Sequence, residues 1–167
     1  MKAVKEVDTP AEYLEMGILD RVDFSDTFST TNHQDDLPEI SRLVFAQSPK
    51  WILWLFSLRN KLVGLIGLET KLPEDYHSRF EVGGYVGFFK IFSTSPQRIV
   101  LGADDSHLNF RAVISDTGTS SFNIQVVTLV EYHNNRGRIY MGLIMPFHRI
   151  VVKSLVRNAF KAVDIGN

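Results

Sequence analysis

The chain has 167 residues, 44% hydrophobic and 22% charged, with a formal net charge of -1; this length suits one domain burying about two-thirds of its unfolded surface. A near-neutral balance argues against a dedicated nucleic-acid binder, which would carry a basic excess. With no cysteine, disulfides, thiolate nucleophiles and cysteine-based metal sites are excluded, in keeping with a reducing cytoplasm. Charge is uneven: Glu6, Asp8, Glu12, Glu15, Asp20, Asp23, Asp26, Asp35, Asp36 and Glu39 crowd the first part. The stretch from Arg136 to Lys161 has Arg138, Arg149, Lys153 and Arg157 and no acid.

The N-terminus lacks the apolar core of a signal peptide. Residues 1–20 read as a short helical extension, with Thr9 as N-cap, Pro10 at the first helical position, Glu12 closing a capping box and Gly17 as the stop. Residues 22–160 form the expected core of a single domain spanning 1–167. Val22 to Thr31 alternates as a strand, with Val22, Phe24 and Phe28 on one face. Asp26 falls on that same face. Either the strand becomes exposed there or Asp26 is buried and needs a partner; the exposed reading is preferred, because unpaired buried carboxylates are rare.

Asp36-Leu37-Pro38-Glu39 opens a second helix, expected to end near Ala46, and Ser48-Pro49 opens a third with Trp51, Leu55, Leu58, Leu62 and Leu65 at helical spacing. Trp51 to Leu68 is the most membrane-like run. Arg59 and Lys61 near its middle would each cost about 2.5–3.5 kcal/mol in a bilayer, which favours a core helix over a span. Glu69 to Gly87 reads as a long loop, either a pocket rim or filler.

Phe88 to Ser93, Arg98 to Ala103, His107 to Ser115 and Phe122 to His133 are strand candidates joined by short polar turns, hence an antiparallel meander. In the third, Leu108, Phe110, Ala112 and Ile114 fall on one face; His107, Asn109 and Arg111 fall on the other. In the fourth, apolar residues on both faces (Val126 and Val130; Val127 and Leu129) predict a strand covered on both sides. Asn134 to Gly137 leads into a long terminal helix with Tyr140, Leu143, Ile144, Phe147, Val151, Ser154 and Leu155 as its apolar stripe. Pro146 inside it predicts a kink.

This order of elements resembles the helix-grip (START-like, SRPBCC) superfamily. More closely, it is similar to a bacterial family of unknown function whose members occur alone or behind an NAD(P)-binding epimerase-like domain. The residues that carry the resemblance are Asp23 to Phe28, Trp51 with Arg59-Asn60, LGADDSHLNFR from Leu101 to Arg111, and GRIYMGLIMPFHRIVV from Gly137 to Val152. The resemblance implies an α+β fold: an antiparallel sheet wrapped around a long C-terminal helix, with two short helices after the first strand and a cavity between sheet and helix. Asn109 stands where that family more often has an acid. No Gly-rich dinucleotide fingerprint occurs, so no nucleotide cofactor is implied.

The expected function is binding of a small apolar or amphipathic molecule in that cavity, lined by Phe110, Ile124, Val126, Tyr140, Leu143 and Phe147, with Arg111 and His107 orienting its polar end. The alternatives are a cyclase, dehydratase or isomerase using His107, Asp104, Asp105 or His148 for proton transfer, and an interaction module whose basic terminal-helix face docks an acidic partner or the chain's own acid-rich N-terminus. Asp104-Asp105-Ser106-His107 matches no strong metal motif and reads first as a turn. No metal, no cofactor, no nucleic acid and no membrane span are expected; homo-oligomerisation stays open.

Overall fold

The computed structural model describes residues 3–47, 49–50, 57 and 74–162, so the helix expected around Trp51 to Leu65 lies outside the described residues. Its elements are β1 (Val4–Val7), α1 (Ala11–Glu15), β2 (Phe24–Thr30), α2 (Leu37–Phe45), β3 (Tyr85–Val86), β4 (Phe89–Ser95), β5 (Arg98–Asp104), β6 (Leu108–Asp116), β7 (Ile124–Tyr132) and α3 (Asn135–Asn158). The four β-rich segments pair in sequence order as the expected meander. β2 then pairs with β7, because Phe24 and Phe28 meet Val130 and Val126 on one face. With β1 against β2, the seven-stranded sheet runs β1-β2-β7-β6-β5-β4-β3, each neighbouring pair antiparallel. β1 and β3 leave no signal in the sequence, since four and two residues are too short for alternation to register.

The cross-strand register places Asp26, Thr128, Ala112, Leu101 and Ile91 in one row across the inner face. Over that face, α3 lies along β1, β2 and β7, and α2 lies over β5 and β6 while touching α3. Phe28, Ile114, Ile124 and Val126 pack there with Ile40 and Val44 of α2 and with Leu155 and Val156 of α3. Fully burying each such side chain contributes about 1.5–3 kcal/mol. A smaller cluster, Leu108, Val130, Tyr140 and Met141, sits under the first half of α3. The outer face holds Val100, Val113, Val127 and Leu129, covered by Tyr13 and Leu19 of the N-terminal segment. β7 is therefore covered on both sides, as its sequence suggests.

Local chemistry explains the ends of the helices. Asp36 caps α2 by accepting from Glu39 N at 2.8 Å, and Asn134 caps α3 by accepting from Arg136 N and Gly137 N. The expected Thr9 cap of α1 is not made: Pro10 is the N-cap, and Thr9 Oγ1 accepts instead from Thr27 Oγ1 at 3.0 Å. The far end of α3 is held by a buried amide pair. Asn32 N donates to Asn123 Oδ1, Asn123 Nδ2 donates to Asn32 O, and Asn32 Nδ2 reaches Ala159 O at 2.8 Å.

The inward stripe of α3 is rotated from the one expected. Tyr140, Met141, Ile144, Met145, Val151, Val152, Leu155 and Val156 pack on the sheet and α2, whereas Leu143 and Phe147 are 63% and 55% exposed. The helix has apolar residues on both sides, so periodicity alone could not orient it. α3 runs unbroken through Pro146.

Candidate functional site

Alternation along β2 turns Phe24, Asp26 and Phe28 toward the helix layer. Asp26 is therefore buried, correcting the exposed reading, and the partner that burial demands comes from α3. His148 lies on the inward stripe between Ile144 and Val152, which brings its Nε2 to 2.9 Å from Asp26 Oδ2. The two side chains are only 15% and 8% exposed. The contact is a close approach without hydrogen-bond alignment: both Asp26 oxygens and His148 Nε2 are buried with no hydrogen-bond partner among the described residues. Phe24 packs edge-on to the imidazole at 5.6 Å, and Thr128, itself buried, stands beside Asp26 in register.

The pair sits between the two apolar clusters gathered under α3. Burying a carboxylate costs several kcal/mol, and an imidazole in contact offsets this fully only when the remaining lone pairs are also satisfied. Here they are not. Unsatisfied buried polar groups between apolar walls mark a place where a polar atom of another molecule fits, or where the chain holds strain for chemistry. The inner face continues from the pair toward Phe110, Phe89 and Phe45, half-buried rings in edge contact at 5.1 and 5.3 Å.

The other expected site residues go elsewhere. β6 begins at Leu108, so His107 belongs to the preceding turn and escapes the strand alternation that would have placed it beside Arg111. It is 2% exposed, edge-on to Tyr140 at 5.3 Å, with Nδ1 3.2 Å from Asp105 Oδ1 and neither ring nitrogen aligned in a hydrogen bond among the described residues. A Cβ on Gly137 would lie 2.1 Å from His107 O, so glycine lets the first turn of α3 settle onto this turn. Tyr140 and His148 are eight residues apart, about 12 Å along the helix, so the two imidazoles form separate centres.

Arg111 lies on the outer face, its guanidinium 3.6 Å from the Phe92 ring centroid and Nη1 donating to Asp104 Oδ1 at 2.7 Å and to Phe110 O at 2.9 Å. Gly102 opposite leaves room, since a Cβ there would come 3.0 Å from Arg111 Cδ. Asp104 and Arg111 are thus an outer-face clamp, Asp105 and His107 a turn pair, and His148 joins Asp26 inside. The four proton-transfer candidates do not converge. Of the ligand-binding candidates, Phe110, Ile124, Val126 and Tyr140 belong to the inner clusters, Arg111 faces outward, and Leu143 and Phe147 lie on the far side of α3. Asp26 and Thr128 complete the interior site; a carboxylate on an apolar strand face was the signal for the first.

The remaining charged groups tie the chain together. Arg21 holds Asp23 at 2.8 and 3.0 Å and, with Tyr132 N, keeps its carboxyl below the ordinary range. Lys161 and Asn32 do the same for Asp35, and Lys90 and Tyr85 for Asp75. Arg149 pairs with Glu6 of β1, so one basic residue of the terminal helix meets the chain's own acid-rich start. A recess of about 500 Å³ opens between the start of α2, Phe80 and the β4–β5 turn. Its carboxylate, Asp36, is already spent on the helix cap. Among the described residues no group of three or more His, Asp or Glu is placed to hold a metal.

Fold and site together define an α+β domain with a long helix laid on an antiparallel sheet and an Asp–His pair buried between them. The chain belongs to the family described as "Protein of unknown function (DUF2867)", whose model matches residues 18–155. That span includes Asp26, the turn with His107, Arg111 and His148. No curated protein and no solved structure matches the chain.

Proposed function

We propose that this is a helix-grip (START-like) domain of the cytoplasm that binds a small, largely apolar molecule between sheet and α3, with Asp26 and His148 fixing its polar end. The observation that carries the reading is the buried pair whose carboxylate oxygens lack hydrogen-bond partners among the described residues, set between two apolar clusters. The antiparallel sheet with a long terminal helix on its inner face supports the helix-grip assignment. Phe24, Phe110, Ile144 and Met145 are only half-buried and supply apolar contact beside the pair. Titration with N-phenyl-1-naphthylamine tests it. A saturable one-to-one fluorescence rise, competed by a medium-chain alcohol, is expected; non-saturable or absent uptake refutes it.

An isomerase- or dehydratase-type enzyme is the second reading, favoured by the same contact, since an imidazole touching a carboxylate can relay a proton. It is separated from simple binding by recovering a bound ligand after incubation in D2O: deuterium at carbon supports turnover, and an unlabelled ligand speaks for binding alone.

A further inference from the structure

The outward face of α3 carries a pattern that neither the core nor the Asp26–His148 pair uses. Ile139, Leu143, Phe147 and Ile150 recur at helical spacing and are 55–63% exposed. The row is bracketed by Arg136 at its start and by Lys153 and Arg157 at its end, all exposed, and no acidic residue occurs between Asn135 and Asn158. The helix is long and apolar enough to cross a bilayer by length and composition. Its other face, however, is committed to two apolar clusters and to the buried His148, and leaving the sheet would expose both. It can lie on a membrane without spanning one.

We propose that this face docks on the surface of an anionic phospholipid bilayer, the apolar row entering the headgroup boundary and the flanking cations meeting phosphates. The charge pattern selects this occupant. A second copy laid antiparallel would set Arg136 against Lys153 and Arg157, and a parallel copy would set each cation against itself; both are repelled. A single convex helix ridge is also matched better by a deformable lipid surface than by a peptide, which needs a groove.

The chain has no cysteine, so Leu143→Cys carrying an environment-sensitive fluorophore reports on this face alone, with Glu15→Cys on the opposite side of the sheet as control. Phosphatidylcholine–phosphatidylglycerol vesicles are expected to shift the fluorophore at residue 143 to the blue and leave that at 15 unchanged. Partition onto these vesicles should exceed that onto pure phosphatidylcholine about a hundredfold, from three cations, and fall as salt rises. Arg136→Glu with Lys153→Glu removes that preference, and Leu143→Ser with Phe147→Ser lowers partition at least about tenfold with an unchanged unfolding midpoint. Four results overturn the proposal: no vesicle recruitment, equal recruitment to both lipids, a concentration-dependent dimer quenched at residue 143, or a Leu143→Cys thiol shielded from maleimide before lipid is added. The last would assign the face to an internal contact.

Discussion

Replacing His148 by Leu removes the partner of a carboxylate that has no hydrogen bond to fall back on among the described residues. Breaking a buried pair by deleting one member costs about 3–5 kcal/mol, because the remaining charge stays desolvated. At about 2.1 cal/mol/K of unfolding entropy per residue, a chain of 167 residues loses about 9–14 °C in Tm for that cost. Asp26→Val leaves the buried His148 imidazole without its carboxylate partner and should also destabilise. The double variant, Asp26→Val with His148→Leu, removes both polar groups from an apolar layer and should return to wild-type stability or exceed it by about 1–4 kcal/mol. Urea unfolding followed by circular dichroism gives all four corners of the cycle. A His148→Leu variant as stable as wild type, or a cycle without coupling, would refute the claim that the pair is buried and interacting.

Other outcomes follow from the same geometry. Asn123→Ala strips partners from the buried Asn32 backbone, N–H and C=O alike, and should destabilise by about 2–4 kcal/mol in thermal unfolding. Gly137→Ala, whose Cβ would meet His107 O at 2.1 Å, must shift the start of α3 and should lower Tm while perturbing the His107 imidazole resonances in NMR. The carboxyls of Asp23, Asp35 and Asp75 are all held below their ordinary values by paired cations or amide donors. The unfolded chain therefore binds more protons in acid, so their contribution is present above about pH 4 and lost as pH falls through the folded values. Asp35→Asn should flatten the acid limb of stability against pH, and an unchanged limb would show that the Lys161 clasp contributes nothing.

Much of the fold is legible in the sequence because its signals are local. Asp36 capping α2, the meander from β4 to β7 and the two-sided cover of β7 all follow from turn chemistry and alternation. The site was half legible. Phe24, Asp26 and Phe28 on one strand face already placed a carboxylate among apolar groups, but its partner comes from a helix far away in sequence. Alternation alone cannot show a partner so distant in sequence, and an exposed carboxylate costs less than an unpaired buried one. α3 misled for a related reason: with Ile139, Leu143 and Phe147 on one side and Tyr140, Ile144 and Leu155 on the other, its hydrophobic period does not say which side meets the sheet. His107 escapes the strand alternation because β6 starts one residue later than its apolar pattern suggests. The polar row of β6 thus breaks into an outer clamp at Arg111 and a buried turn at His107.

The most direct test of a ligand held between sheet and helix is native mass spectrometry of the gently purified chain beside the Asp26→Val, His148→Leu double variant. The wild type should carry a small-molecule mass above its own, at one per chain, that the equally stable variant loses. A wild-type chain at its bare mass, unshifted by added apolar alcohols or amines, would contradict the account.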